Sequence, residues 1–144
     1  MPARARLETS LPPAKDRSSP AKRRELSAPA MRAFLNIAAA WELSVEEQLG
    51  LLGWPAKSTF HKYKSGHVGV LSFDLLMRIS IVIGLYKALH ILYAQETLAN
   101  SWVRMPNTNP MFGGKSPLST MVDGGMDAML RVRRLLDARR GGWN

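Results

Sequence analysis

The chain has 144 residues, which is enough for one compact domain or for two small modules that share a core. Hydrophobic residues make up 46% of it, so most of the chain is expected to fold. The net charge of +9 favours an anionic partner such as nucleic acid, an acidic protein surface or anionic lipid, although basic charge can also serve solubility alone. The lack of cysteine excludes disulfides, thiolate metal sites and a cysteine nucleophile, and it fits a cytoplasmic protein.

Residues 1–28 are predicted to form a flexible basic arm. They contain four of the nine prolines and the run Lys22-Arg23-Arg24, but no aromatic residue and no helical period. The arm either follows the phosphates of a nucleic acid or is a plain tail. No signal peptide is evident, and the most apolar run, Ile79 to Tyr86, is far shorter than the ~20 residues that span a bilayer. No membrane partner is expected.

Residues 29–70 are predicted to form a helix-turn-helix region. Apolar residues recur at helical spacing after Pro29, at Met31, Phe34, Leu35 and Ala38. Ser44 and Glu47 then have the spacing of a reciprocal capping box at the start of a short helix that Gly53 ends. A third helix is expected from about Ala56 to Lys64. Two short helices joined by a tight turn with glycine are typical of the helix-turn-helix motif.

Residues 71–95 are predicted to form a long central helix, with Ser72 as its cap and Asp74 complementing its dipole. The apolar positions run along about six turns, at Leu75, Leu76, Ile79, Val82, Ile83, Tyr86, Leu89 and Tyr93. Gly84 either weakens this helix or lets another helix pack closely. A helix that is apolar on so many sides is expected at the centre of the fold or in a homodimer interface.

Residues 96–144 are predicted to form a C-terminal helical domain. A short helix is expected near Glu96 to Met105, followed by residues 106–115, which are rich in turn-forming residues. Ser116-Pro117 then begins a helix that Gly124-Gly125 ends, and a last helix reaches about Ala138. No strand pair is expected, so the predicted fold class is all-α.

No constellation of residues indicates catalysis, a metal site or a cofactor. His61, His67 and His90 lack the spacing of metal ligands, and His90 is expected to be a core residue. Residues 113–116 resemble a phosphate loop, but the Walker spacing needs a glycine where this chain has Asn109, and it needs a preceding strand. The protein is therefore not expected to be an enzyme.

The third predicted helix carries the candidate DNA-binding residues, which are Lys57, Ser58, Thr59, His61, Lys62 and Lys64. Only Phe60 and Tyr63 in this helix are obvious core residues. The second helix of a helix-turn-helix presents its residues to the major groove, and its cations pair with phosphates. A solvated basic face is the alternative. The helix has no arginine to bind guanine, so strong base recognition is not indicated.

The last six residues form an unusual tail: Arg139, Arg140, Gly141, Gly142, Trp143 and Asn144. Chain ends are usually polar, whereas Trp and Arg are the side chains that most often dominate binding energy in a partner's pocket. The alternative is that Trp143 folds back on its own last helix.

The order and spacing of several short stretches together are characteristic of a known family. They are Trp41-Glu42-Leu43-Ser44, Leu51-Leu52-Gly53, residues 58–64, 71–80 and 84–89, Trp102, Pro106-Asn107, residues 112–118, and the final pattern of Arg133, Leu135, Leu136, Asp137 and Arg140-Gly141-Gly142. With these residues the chain resembles the Xre/MbcA/ParS antitoxins, whose partner toxins carry a RES domain.

The resemblance implies an antitoxin of a type II system. Its helix-turn-helix part would form a homodimer and bind promoter DNA, and each C-terminal domain would bind one toxin in a larger hetero-oligomer. The tail 139–144 would plug the active site of an NAD-using toxin, either NAD-degrading or ADP-ribosylating, with Arg133 and Leu136 supporting this contact. A helix-turn-helix regulator with a separate ligand-sensing domain remains the alternative.

Overall fold

In the computed structural model, which describes residues 19–141, the chain is built from six α-helices and two 3-10 turns. The helices are α1 (Pro20–Ala40), α2 (Val45–Leu51), α3 (Lys57–Lys64), α4 (Phe73–Leu92), α5 (Glu96–Ser101) and α6 (Pro117–Gly141). The 3-10 turns are Trp102–Arg104 and Pro110–Phe112. No strand occurs between residues 19 and 141, and the predicted all-α class is confirmed.

Helix α4 is the core of the fold, and it packs against both α1 and α6. Its N-terminus is fixed by Ser72, whose hydroxyl accepts a hydrogen bond from the Leu75 N–H at 3.1 Å, as predicted. Its buried residues are Leu76, Ile79, Ile81, Val82, Ile83, Gly84, Leu85, Ala88 and Leu89. Among the described helices, α4 alone is long and apolar enough to cross a membrane, and its central position accounts for that composition.

Helix α1 begins at Pro20, so the predicted arm of residues 1–28 is too long. Pro29, expected near the helix start, lies inside α1. The reason is a tertiary contact: Ser27 is fully buried, its hydroxyl accepts a hydrogen bond from the Leu71 N–H at 2.8 Å, and it donates one to the Arg23 carbonyl. The remaining arm residues, 1–18, lie outside the described part of the chain.

Helices α1, α2 and α3 all end in the same hydrogen-bonded motif, with a left-handed residue just past the helix. These residues are Glu42 (φ 56°), Gly53 (φ 87°) and Gly66 (φ 94°). In each case the next N–H reaches back into the last turn: Leu43 to Ala38 at 2.9 Å, Trp54 to Leu49 at 2.7 Å and His67 to Lys62 at 2.8 Å. Glycine is usual at this position because a Cβ in the left-handed conformation costs roughly 1–2 kcal/mol. Glu42 is the exception among the three helix ends.

A polar clasp around Arg104 joins the first 3-10 turn to the N-terminal helices. The predicted capping box is present, since Ser44 and Glu47 exchange hydrogen bonds at 2.8 and 3.1 Å. The Arg104 guanidinium donates to the Trp41 carbonyl at 2.8 Å, the Glu42 carbonyl at 2.6 Å and the Glu47 carboxylate at 2.7 Å. Burial alone would raise the pKa of Glu47, but hydrogen bonds from the Ser44 backbone and from Arg104 outweigh it and lower that pKa below 4.5.

Helix α6 consists of two helical segments that meet at Gly125, where φ is 71° and ψ is −155°. The first segment packs on α2: a Cβ added to Gly50 would lie 2.6 Å from Cγ1 of Val122. The second packs on α4: a Cβ added to Gly84 would lie 1.9 Å from Nη1 of Arg133. Of the two predicted roles for Gly84, the structure therefore supports close packing of another helix.

Candidate functional site

The described residues 19–141 contain no group of three or more His, Asp or Glu side chains placed to hold a metal ion. His90 packs on its own helix: its Nδ1 donates to the Tyr86 carbonyl at 2.9 Å, and its ring centroid lies 4.1 Å from that of Tyr86. In the segment 113–116, which resembles a phosphate loop in sequence, the Lys115 N–H donates to the Phe112 carbonyl at 2.9 Å. This backbone donor is therefore used within the turn itself.

Helix α3 presents a polar and cationic face. Phe60 is buried and Tyr63 is half-buried, so this side of the helix faces the core as predicted, and burial raises the pKa of Tyr63. The structure places the six predicted DNA-binding residues on the remaining surface: Lys57, Ser58, His61, Lys62 and Lys64 are exposed, and Thr59 is half-buried. Because α3 lacks arginine, this face suits contacts to phosphate better than recognition of guanine.

Two of these cations have neighbours within the chain. The Nζ of Lys57 lies 3.7 Å from a carboxylate oxygen of Glu46, and both side chains are well exposed. The Nζ of Lys64 lies 5.7 Å from the centre of the Phe60 ring. Exposed ion pairs of this kind contribute little to stability, so Lys57 is available to another anion at small cost.

The C-terminal helix differs from the prediction at its end. Arg139, Arg140 and Gly141 continue α6 and are exposed, whereas the helix was expected to end near Ala138. Two arginines in the last turn complement the helix dipole, which favours this extension. The other predicted tail residues, Gly142, Trp143 and Asn144, lie outside the described residues.

The two predicted support residues of the tail belong to the contact between α6 and α4. Leu136 is completely buried in the core, so it acts on a partner only by holding α6 in place. The Nε of Arg133 is 3.1 Å from a carboxylate oxygen of Asp137, and its guanidinium lies on the backbone of Gly84. Both residues thus fix the direction in which α6 leaves the fold.

Two residues of note were not predicted. Arg104 follows a pair of apolar residues, and nothing in its local sequence indicates the clasp it forms. Trp54 is 55% exposed and left-handed, with φ 65°. The signal for Trp54 is its position in Gly53-Trp54-Pro55, since a tryptophan in a turn has no adjacent apolar period to bury it.

Comparison with known proteins identifies the C-terminal half. Residues 88–142 match the family model of the antitoxin Xre/MbcA/ParS C-terminal toxin-binding domain. The match begins inside α4, ahead of the predicted boundary at residue 96. No solved structure matches the chain.

A relative covers the chain more widely. The uncharacterized protein y4oB of Sinorhizobium fredii (strain NBRC 101917 / NGR234) is 44% identical over 112 residues, which are 78% of this chain and 84% of that protein. The aligned length exceeds the matched domain, so the likeness includes part of the N-terminal helices. This chain belongs to the Xre/MbcA/ParS antitoxins, and its C-terminal part is the domain with which the antitoxin binds its toxin.

Proposed function

We propose that this antitoxin neutralises an NAD-using toxin with a RES domain by placing residues 139–144 in the toxin's active-site cleft. The observation that carries the proposal is the end of α6. Buried Leu136 and the contact of Arg133 with Gly84 hold this helix on α4, while Arg139 and Arg140 are exposed just beyond them. Arginine suits a phosphate subsite, and the glycines and Trp143 that follow suit a narrow cleft with an aromatic subsite. The antitoxin itself is proposed to carry out no chemistry and to need no cofactor.

Removal of residues 139–144 tests the tail. The truncation takes away only exposed helix residues and the segment after them, so the thermal midpoint is expected to stay unchanged. Protection of cells that express the toxin, and inhibition of NAD consumption by the purified toxin, are expected to be lost. Arg134→Ala is the control, because it removes an exposed arginine of the same helix upstream of the tail. Full protection by the truncated chain contradicts the role of the tail.

We also propose that the antitoxin represses its own promoter through α2 and α3, as a helix-turn-helix region. The exposed Lys57, Lys62 and Lys64 on α3 support this role. Changing all three to glutamine is expected to weaken promoter binding at least tenfold and to reduce the slope of log affinity against log salt by about 2–3, since each lost phosphate contact removes ~0.9. Lys115→Gln, which removes an exposed charge from the loop before α6, is expected to leave the affinity and the salt slope unchanged. Equal binding by the triple variant contradicts the role of α3.

The assembly we propose is a cytoplasmic homodimer formed by the N-terminal helices, with one toxin on each C-terminal domain. The helix-turn-helix region, expected at residues 29–70, then includes the whole of α1. The central helix, expected at residues 71–95, corresponds to α4, and the toxin-binding part, expected at 96–144, begins within that helix if its start is taken from the family match. The masses of the free antitoxin and of the complex, measured by light scattering, test this stoichiometry.

A further inference from the structure

Trp54 is the only Trp, Tyr or Phe within 19–141 that is exposed. The other exposed large apolar residues are aliphatic: Val45, Val70, Ile91, Leu98 and Met105. By contrast, Trp41 is fully buried and Trp102 is nearly so. A tryptophan that leaves more than half of its surface in water gains little from the fold, and this residue type is enriched among those that dominate protein–protein binding.

The backbone holds Trp54 in one direction. Its φ of 65° is left-handed, a conformation that costs free energy for any residue with a Cβ. Its N–H is bonded to the Leu49 carbonyl at 2.7 Å, Gly53 precedes it with φ 87°, and Pro55 follows it. Glycine or asparagine would take this backbone more easily. The position therefore carries a residue with a strained backbone whose side chain remains more than half exposed.

Trp54 lies against the toxin-binding domain, although it is outside that domain in sequence. A Cβ added to Gly50 would lie 3.2 Å from Cζ2 of Trp54 and 2.6 Å from Cγ1 of Val122, so the indole and Val122 both lie close to the same glycine. Val122 belongs to the matched residues 88–142. It also lines a cleft of about 210 Å³, together with Glu47, Arg104, Ser116, Leu118, Ser119 and Asp123.

We propose that Trp54 is an anchor residue for the toxin, so that the toxin interface extends from the C-terminal domain onto the turn between α2 and α3. The inference rests on the proposed function, which supplies the toxin to be tested. Continuity with the toxin-binding domain favours the toxin as the occupant.

Trp54→Gly tests the anchor, because it removes the indole and relieves the left-handed backbone at once. The Kd for the purified RES-domain toxin, measured by calorimetry with the full chain, is expected to rise at least tenfold, which corresponds to a loss of ~1.4 kcal/mol of binding free energy. The thermal midpoint of the free antitoxin is expected to stay constant or to rise. Trp54→Asn is the second variant, since asparagine also accepts the left-handed conformation, and it is expected to weaken binding equally.

Glu42→Gly is the matched control. It relieves the other left-handed non-glycine residue found between residues 19 and 141 without removing an apolar side chain, and it is expected to leave the Kd unchanged. Val70→Ala, which trims an exposed apolar residue after α3, is expected to do the same.

The outcomes separate the inference from the function on which it rests. A wild-type chain that does not bind the RES-domain toxin overturns the proposed function and the anchor with it. A wild type that binds, together with Trp54 variants of equal affinity, overturns the anchor alone. Equal toxin affinity with a dimer that dissociates in sedimentation would assign Trp54 to a second copy of the chain, and equal toxin affinity with weaker promoter binding would assign it to DNA. Both results contradict the proposal.

Discussion

Replacing Arg104 by methionine is expected to destabilise the whole fold, because this one side chain joins the first 3-10 turn to the end of α1 and the start of α2. The bond to the Trp41 carbonyl is partly buried, whereas those to Glu42 and Glu47 are exposed. Hydrogen bonds from a charged donor contribute about 1.5 kcal/mol when partly buried and about 0.5–1 kcal/mol each when exposed. The expected loss is therefore about 3 kcal/mol, since methionine keeps the apolar stem and removes only the donors.

Urea unfolding followed by circular dichroism measures this loss. The midpoint is expected to fall with an unchanged slope, and the thermal midpoint is expected to fall by roughly 10 °C for a chain of this size. Glu47→Gln, which removes a single charged acceptor, is expected to cost about 1 kcal/mol or less. Arg134→Met is the control on α6. A loss below about 1 kcal/mol for Arg104→Met would refute the reasoning, because the three bonds would then contribute no more than an ordinary surface pair.

Three further predictions follow from the same contacts. Because its pKa is lowered, ionised Glu47 contributes to stability above the ordinary value of 4.5, and this contribution is lost as the pH falls through the lower folded value. Between pH 6 and pH 3 the free energy of unfolding is therefore expected to fall less for Arg104→Met than for the wild type. Equal decreases would contradict the pairing of Glu47 with Arg104. Glu42→Gly is expected to raise the free energy of unfolding by about 1 kcal/mol in urea, and a decrease would show that the left-handed backbone carries no strain. Gly84→Ala is expected to displace the Arg133 guanidinium, to lower stability by about 1–3 kcal/mol and to weaken toxin binding. Unchanged toxin affinity in Gly84→Ala would separate Arg133 from toxin binding.

Features that depend on residues close in sequence could be predicted. The caps at Ser44 and Ser72 and the helix start at Ser116-Pro117 involve partners three residues away, and the structure has them all. The break near Gly125 was also predicted from two adjacent glycines. In the candidate DNA-binding helix, the shortage of apolar residues was enough to indicate its exposed face.

Features that depend on distant residues could not be predicted. The start of α1 is fixed by a hydrogen bond between Ser27 and Leu71, and the Arg104 clasp reaches back to Trp41. The helical spacing of Met129, Val132 and Leu136 indicates a buried face, but no local pattern indicates that this face packs on α4. The candidate tail was found by its composition, whereas the exposed Trp54 was missed because its strain exists only in the folded backbone.

The break in α6 has a consequence for how toxin specificity can change. With φ 71° and ψ −155°, Gly125 has a conformation that is essentially restricted to glycine. The contact of Val122 with Gly50 lies before it, and the contact of Arg133 with Gly84 lies after it. The chain thus has a joint at a single residue, with separate attachments on each side. We expect that residues beyond this joint can be exchanged as a unit between related antitoxins only where the buried Met129, Val132 and Leu136 and the arginine that packs on Gly84 are kept.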